Sequence, residues 1–510
     1  MEHPRGERIR LVGSVDFGDL TLGVKEKAGW FDVEGELTVD DNQVVNFREL
    51  MEKVAENEQS KFIQLSEGQY VALTENLRRK LREMEGLMSK GKDGIQLHPL
   101  AAGILDDIAD QLGGFEADIA WRESLQRIQN VNRTIARVPS TFRAELRPYQ
   151  LDGFRWLMRL ADWGVGACLA DDMGLGKTIQ GLAMLQARAE LGPALVIAPA
   201  SVTRNWVREA AKFAPTLNSV LLGQGDRKEA IESVGPYDML VVSYGLLPFE
   251  GEALAAKRFG TIILDEAQAI KNRGTKRSQV AMSLQGDFRV ATTGTPIENH
   301  LGELWNLFEF LNPGLLGGFQ RFNEKYTVPI TKNNDSERRQ QLRRLIQPFI
   351  LRRRKEEVLE ELPPKTEVTL TVELSDKERA FYEALRQRAL ESIDDSDGQN
   401  RRFQILAQLM KLRQAACHPQ MVDPNVDIGS SKLELLSETV REITESGHKV
   451  LIFSQFVRHL RLVEKWVIEE GIEYQYLDGS TPGKKRDESV QAFQRGEGDV
   501  FLISLKAGGT

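Results

Sequence analysis

Between about residues 8 and 72 apolar and polar positions alternate. Ile9, Leu11, Val15 and Phe17 mark one stretch, and Phe31, Val33, Leu37 and Val39 another. A period of two is that of strands with one buried face, so a small β-rich module is expected here. Leu73, Leu77, Leu81 and Met84 then recur at helical spacing among Arg and Glu, and Trp121, Leu125 and Ile128 repeat that spacing. These predict amphipathic helices that complete an α+β accessory module over 1–135.

The rhythm then changes. Short apolar runs at 195–197, 239–242, 261–264 and 288–291 are separated by helical stretches. Runs buried on both faces that alternate with helices predict a parallel sheet covered on two sides, here an α/β domain over 140–310. From 311 to 430 the strand signal gives way to charged helical sequence broken at 332–336 and 394–400, which reads as a helical insertion and linker. Strand signals return at 450–453 and 500–503 around a helical stretch through Leu460, Val463 and Trp466. A second α/β domain is therefore expected over 431–510, incomplete where the sequence stops at Thr510.

Composition narrows the partners rather than the fold. A chain of 510 residues that is 41% hydrophobic can form several cores. A net charge of -8 gives no global attraction for nucleic acid, so binding to it would need local basic grooves. Cys168 and Cys417, with His418 beside the second, lack the spacing of a disulfide framework or a zinc site. No apolar run approaches the roughly 18 residues of a membrane helix, and the start of the chain lacks a signal core. The sequence reads as that of a cytoplasmic protein with no membrane partner.

The chemistry concentrates in Asp171-Asp172-Met173-Gly174-Leu175-Gly176-Lys177-Thr178, between an apolar stretch and a helical run. This is the context of a P-loop. Gly174 and Gly176 would let backbone amides approach phosphate oxygens, Lys177 would reach the β and γ phosphates, and Thr178 would coordinate magnesium. The usual pattern has glycine at Asp171. Alone, the string would also describe a turn ahead of an ordinary helix, but the 261–264 run delivers Asp265 and Glu266 at a strand's carboxyl end. Asp265 is suited to hold Mg2+ through its water shell, and Glu266 to orient and deprotonate the attacking water. The Gln150 amide could pair with both edges of adenine. Thr293, Gly294 and Thr295, at the end of another strand, could couple the phosphate site to a domain interface or simply cap a helix. Trp206, Trp305 and Cys168 read as packing residues.

Together, RPYQ at 147–150, DMGLGKT at 172–178, DEAQAIKN at 265–272 and TGTPIENHLGELWNL at 293–307 resemble the Swi/Snf-type ATPases of helicase superfamily two. ILRRRK at 350–355, LRQAACHP at 412–419, FSQF at 453–456, LDGST at 477–481 and SLKAGG at 504–509 extend the resemblance. GWFDVEG at 29–35 looks like the accessory module of some bacterial members. The resemblance implies tandem RecA-like P-loop domains, the second incomplete, that bind ATP and Mg2+ and track double-stranded DNA without separating its strands. It assigns ATP to Arg147, Gln150 and residues 172–178 (Asp172, Met173, Gly174, Leu175, Gly176, Lys177, Thr178). It assigns the DNA backbone to Ala198, Pro199, Ser243, Tyr244, Ser454, Gln455, Lys506 and Gly508. The run Arg352-Arg353-Arg354-Lys355 is either a DNA patch or, as basic runs usually are, a solvated face that in the family partly braces the lobes. The family's charge-stabilising arginines lie past Gly509, so turnover by a chain ending at Thr510 is expected to be slow. Two other readings keep the same nucleotide site: a strand-separating helicase, and a nucleotide-gated binding protein for DNA, RNA polymerase or another nucleoprotein complex.

Overall fold

In the accessory region the alternation becomes two sheets. The strand Trp30–Asp40 turns Phe31, Val33 and Leu37 inward and pairs antiparallel with Leu20–Lys27. Further strands at Gln43–Asn46, Met88–Lys90, Ile95–Leu97 and Gly114–Ala117 complete that sheet, while Arg10–Val15, Gln69–Leu73 and Phe62–Ser66 form a second. Leu73 ends a strand instead of opening the helix, because Thr74 caps the helix Glu75–Leu87 by accepting from the Leu77 amide at 3.2 Å. The computed structural model describes residues 10–40, 43–56, 60–91, 94–131, 135–223, 225–294, 301–359, 367–394 and 399–505. Among these no helix is long and apolar enough to cross a membrane.

The chain divides into two units, Met1–Leu362 and Pro363–Thr510. In the first, a seven-stranded parallel sheet runs in the order Asn218–Leu221, Asp238–Ser243, Ala194–Ala198, Thr261–Asp265, Arg289–Thr292, Ala167–Leu169, Ile350–Leu351. The central strands are buried along their whole length, as runs without alternation require. Two strands escaped the sequence reading, Asn218–Leu221 at one edge and Ile350–Leu351 at the other. The second lies in a stretch expected to be purely helical, and two residues carry no periodicity. The helices expected to form one insertion over 311–430 fall on both sides of the division. Those through Lys355–Val358 belong to the first unit, and those from Asp376–Asp394 onward to the second.

The accessory module is joined to the helices after Leu301–Leu311 by polar contacts around Glu85. Arg338 bonds the Glu85 carboxylate at 2.6 Å, Lys325 donates to the Glu85 carbonyl at 2.5 Å, and the Tyr326 hydroxyl donates to the Gly86 carbonyl at 2.7 Å. Burial disfavours the charged form of Lys325 and, despite the opposing charge of Glu85, lowers its pKa to about 7.

The second unit carries a three-stranded parallel sheet ordered Val450–Ser454, Val500–Ser504, Tyr474–Leu477. Leu460, Val463 and Trp466 of the helix Val457–Glu469 pack into the core beneath it.

The Lys325 ammonium predicts a pH dependence of stability. Its folded pKa lies below its unfolded value near 10.5, so between these values the unfolded chain binds more protons and stability rises with pH. Thermal unfolding from pH 7 to 9 should show the wild-type midpoint gaining on that of Lys325→Met as pH rises. Parallel curves would show that Lys325 is not held in this low-pKa state.

Candidate functional site

The loop 172–178, the acids Asp265 and Glu266, and Thr293 and Gly294 lie at the carboxyl edge of the first unit's sheet. The strand Ala167–Leu169 runs into the loop 170–176, from which the helix Lys177–Ala187 departs. Gly174 and Gly176 adopt φ of 84° and 77°, conformations that glycine enters without penalty. A β-carbon on Gly176 would also lie 2.5 Å from Gln150 Nε2. Gln150 accepts from the Arg147 amide at 3.0 Å through Oε1 and donates to the Leu175 carbonyl at 3.2 Å through Nε2. Its amide thereby braces the loop against the helix Pro148–Trp163. Lys177 Nζ donates to the Asp171 and Asp172 carbonyls at 2.7 and 3.3 Å. Burial lowers its pKa, against the charges of Glu266, Asp171, Asp265 and Asp172.

Asp171, the departure from the usual loop pattern, has no solvent exposure. Its carboxylate accepts from the Arg353 amide at 3.1 Å and from Arg353 Nε at 3.0 Å, and a further bond from Arg353 Nη2 makes the pair bidentate. The same guanidinium donates to Gln180 Oε1 at 2.9 Å and to the Tyr149 carbonyl. Within the basic run, Arg353 is an internal clamp on the P-loop. Arg352 and Arg354 are exposed.

Asp265 ends the strand Thr261–Asp265 directly across from Thr292. Its Oδ1 accepts from Thr292 Oγ1 at 2.5 Å and from the Glu266 amide at 3.1 Å, and its Oδ2 from Trp206 Nε1 at 2.8 Å. A carboxylate has about four acceptor positions, so Oδ2 keeps a lone pair. Glu266 sits at φ 49° and ψ 57°, a left-handed conformation costing a non-glycine residue about 1 kcal/mol or more. Gln268 Nε2 holds Glu266 Oε2 at 2.8 Å, and Gln268 Oε1 accepts from Thr293 Oγ1 at 3.1 Å. Trp206 and Gln268 are the residues that sequence reasoning missed. Trp206 reads as packing and is fully buried, but a buried indole N–H needs an acceptor, and that requirement was the available signal.

Among the other expected site residues, Gly294 lies against Met173 of the loop, 3.3 Å from Met173 Cγ if it carried a β-carbon. Ala198, Pro199 and Ser243 stand at the carboxyl ends of their strands. Tyr244 differs from expectation: its side chain is buried, and its hydroxyl donates to the Asp265 carbonyl at 2.9 Å, so it supports the acid pair and does not face a backbone phosphate. Burial, with Asp265 and Glu266 nearby, raises its pKa well above the ordinary value. Cys168 is core, and burial pushes its thiol up to about 12. Ser454 and Gln455 close a strand of the second unit, where Gln455 accepts from Arg413 at 2.6 Å. Thr295, Lys506 and Gly508 lie outside the described residues.

Comparisons with known proteins identify the family. Residues 149–421 match the model of the SNF2-related domain, and residues 431–510 that of the helicase conserved C-terminal domain. A putative ATP-dependent helicase/translocase of Bacillus subtilis, YwqA, is 36% identical over 99% of this chain and 56% of its own length. A probable chromatin-remodeling complex ATPase chain of rice (Oryza sativa subsp. japonica) is 35% identical over 73% of this chain and 35% of its own. The chain thus spans about half or less of the length of these relatives. The solved SWI2/SNF2 ATPase core of Sulfolobus solfataricus in complex with dsDNA is 35% identical, covering 73% of this chain and 80% of that one, with a TM-score of 0.44.

The buried pair predicts an asymmetric mutational response. With side chains 13% and 0% exposed, Arg353→Leu should cost about 3–5 kcal/mol by stranding a carboxylate, and adding Asp171→Leu should recover most of it. Denaturant unfolding of the two variants reads this directly. Equal losses in both would mean that charge pairing is not what Arg353 supplies.

Proposed function

The chain belongs to the SNF2-related family of helicase-type ATPases, and on that premise we propose that it binds ATP with magnesium at the sheet edge just described, hydrolyses it, and couples turnover to tracking along double-stranded DNA. The observation that carries the reading is Asp265. This buried carboxylate is fixed by three donors, keeps a lone pair, and stands close enough to Lys177 to act on its charge.

The residues divide the work as follows. The amides of 174–177 at the start of a helix cradle phosphate oxygens. The Lys177 ammonium leaves the carbonyls of Asp171 and Asp172 for the β and γ phosphates, a favourable exchange of neutral acceptors for charged ones. Thr178 and Asp265 supply the hard oxygen ligands that magnesium prefers, Asp265 through a metal-bound water. A magnesium ion held by these residues would supply positive charge against that developing on the phosphates. With Oε2 held by Gln268, the Glu266 carboxylate is oriented to take a proton from the attacking water. The Gln268 bond to Thr293 links that orientation to the segment running on to 294, so a shift there would move the base.

The DNA half of the reading rests on the relatives' names as helicase, translocase and chromatin-remodeling ATPases. It also rests on the position of Pro199 and Ser243 at the same sheet edge. The Ser243 hydroxyl there can donate to a phosphate without reading base sequence, and binding to a phosphate backbone should weaken with salt.

Steady-state ATP hydrolysis with and without linear duplex DNA tests the proposal. DNA should raise turnover. Lys177→Ala should abolish it, and Glu266→Gln should reduce it about a hundredfold or more while nucleotide binding persists. Turnover indifferent to DNA would remove the translocase reading. Tight ATP binding without turnover would favour a nucleotide-gated grip on DNA or on a complex such as RNA polymerase.

A further inference from the structure

We propose that Lys355 is a second phosphate-binding lysine of the nucleotide site, presented over the P-loop by the Arg353–Asp171 pair. This rests on the nucleotide reading above and adds to it a residue from the far end of the unit's sequence.

The placement follows from backbone bonding. The Ala170 amide donates to the Leu351 carbonyl at 2.7 Å, the Asp172 amide to the Arg353 carbonyl at 3.0 Å, and the Lys355 amide to Asp172 Oδ2 at 3.1 Å. Segment 351–355 therefore runs alongside 170–172 as a continuation of the sheet edge, bonded at every second residue. Where the loop turns away into its glycines, the Lys355 side chain follows it. A β-carbon on Gly174 would lie 3.2 Å from Lys355 Nζ and 3.4 Å from Cε. Glycine at this point thus leaves room for both a phosphate and an ammonium.

Charge supplies the reason. Asp171, Asp172, Asp265 and Glu266 all lie within electrostatic reach of Lys177, an acidic surrounding for a polyanionic ligand. Arg353 neutralises Asp171, but its guanidinium already gives four of its five donors to Asp171, Gln180 and the Tyr149 carbonyl. Lys355 differs in each respect. Its side chain is exposed, it forms no ion pair among the described residues, and its flexible stem lets the ammonium follow a phosphate chain. The pair thus has two effects: it closes the charge of Asp171, and it fixes the strand that carries Lys355 to the loop.

Equilibrium binding of ATP and of AMP to wild type, Lys355→Ala and Lys355→Arg tests this without any turnover. Lys355→Ala should weaken ATP by about tenfold or more while AMP changes by less than about twofold, and Lys355→Arg should retain most of the ATP affinity. The unliganded melting temperature of Lys355→Ala should match wild type, because the side chain is exposed. Unchanged ATP affinity, or equal losses for ATP and AMP, would overturn the proposal while leaving the nucleotide reading intact. A wild-type chain that binds no ATP would overturn both.

Discussion

A carboxylate sealed from solvent must have its charge met within the protein, and Asp171 meets its charge through one guanidinium. The cost of burying two ions is several kcal/mol each, recovered only when nearly every donor is used. Arg353 uses its Nε, both terminal nitrogens and its own amide. That requirement fixes more than a contact. It draws the strand Ile350–Leu351 onto the sheet beside Ala167–Leu169, anchors the helix start at Tyr149, and holds the opening of the P-loop from the side away from the acid pair.

On the other side, the parallel sheet sets the spacing. The P-loop strand and the strand of Asp265 are separated by one strand, which places them about 10 Å apart at two strand spacings. The intervening strand Arg289–Thr292 contributes Thr292 to Asp265 and leads to Thr293, which reaches Gln268. Glutamate 266 is kept in a left-handed conformation at this junction. Such strain persists only where neighbours determine the backbone, and here the strand end, the bond to Gln268 and the adjoining turn Ala267–Ile270 do so.

What the sequence made legible was whatever local chemistry encodes. Short apolar runs at 195–197, 239–242 and 261–264 read as strands buried on both faces of a parallel sheet, and glycine with lysine and threonine at 174–178 gained its meaning beside the acids at 265 and 266. What it hid depends on long-range pairing. Asp171 stood out as an oddity, but its partner lies 182 residues away in a run whose basic composition pointed to solvent or DNA. The indole of Trp206 and the amide of Gln150 carry donors whose acceptors only the fold identifies. The family resemblance assigned Tyr244 to the DNA backbone, yet its ring is apolar enough to be buried and its hydroxyl donates to the Asp265 carbonyl.

Asp265 is fixed by protein donors with a lone pair remaining, and on the proposed reading that lone pair would help to hold magnesium beside the triphosphate. The most direct measurement is the ATP affinity of wild type and Asp265→Asn with and without magnesium. Magnesium should tighten ATP binding to wild type, and most of that gain should vanish in Asp265→Asn, whose neutral amide is a poor partner for a magnesium-bound water, while magnesium-free affinity stays the same or improves. ATP affinity of the wild type that is the same with and without magnesium would contradict the account.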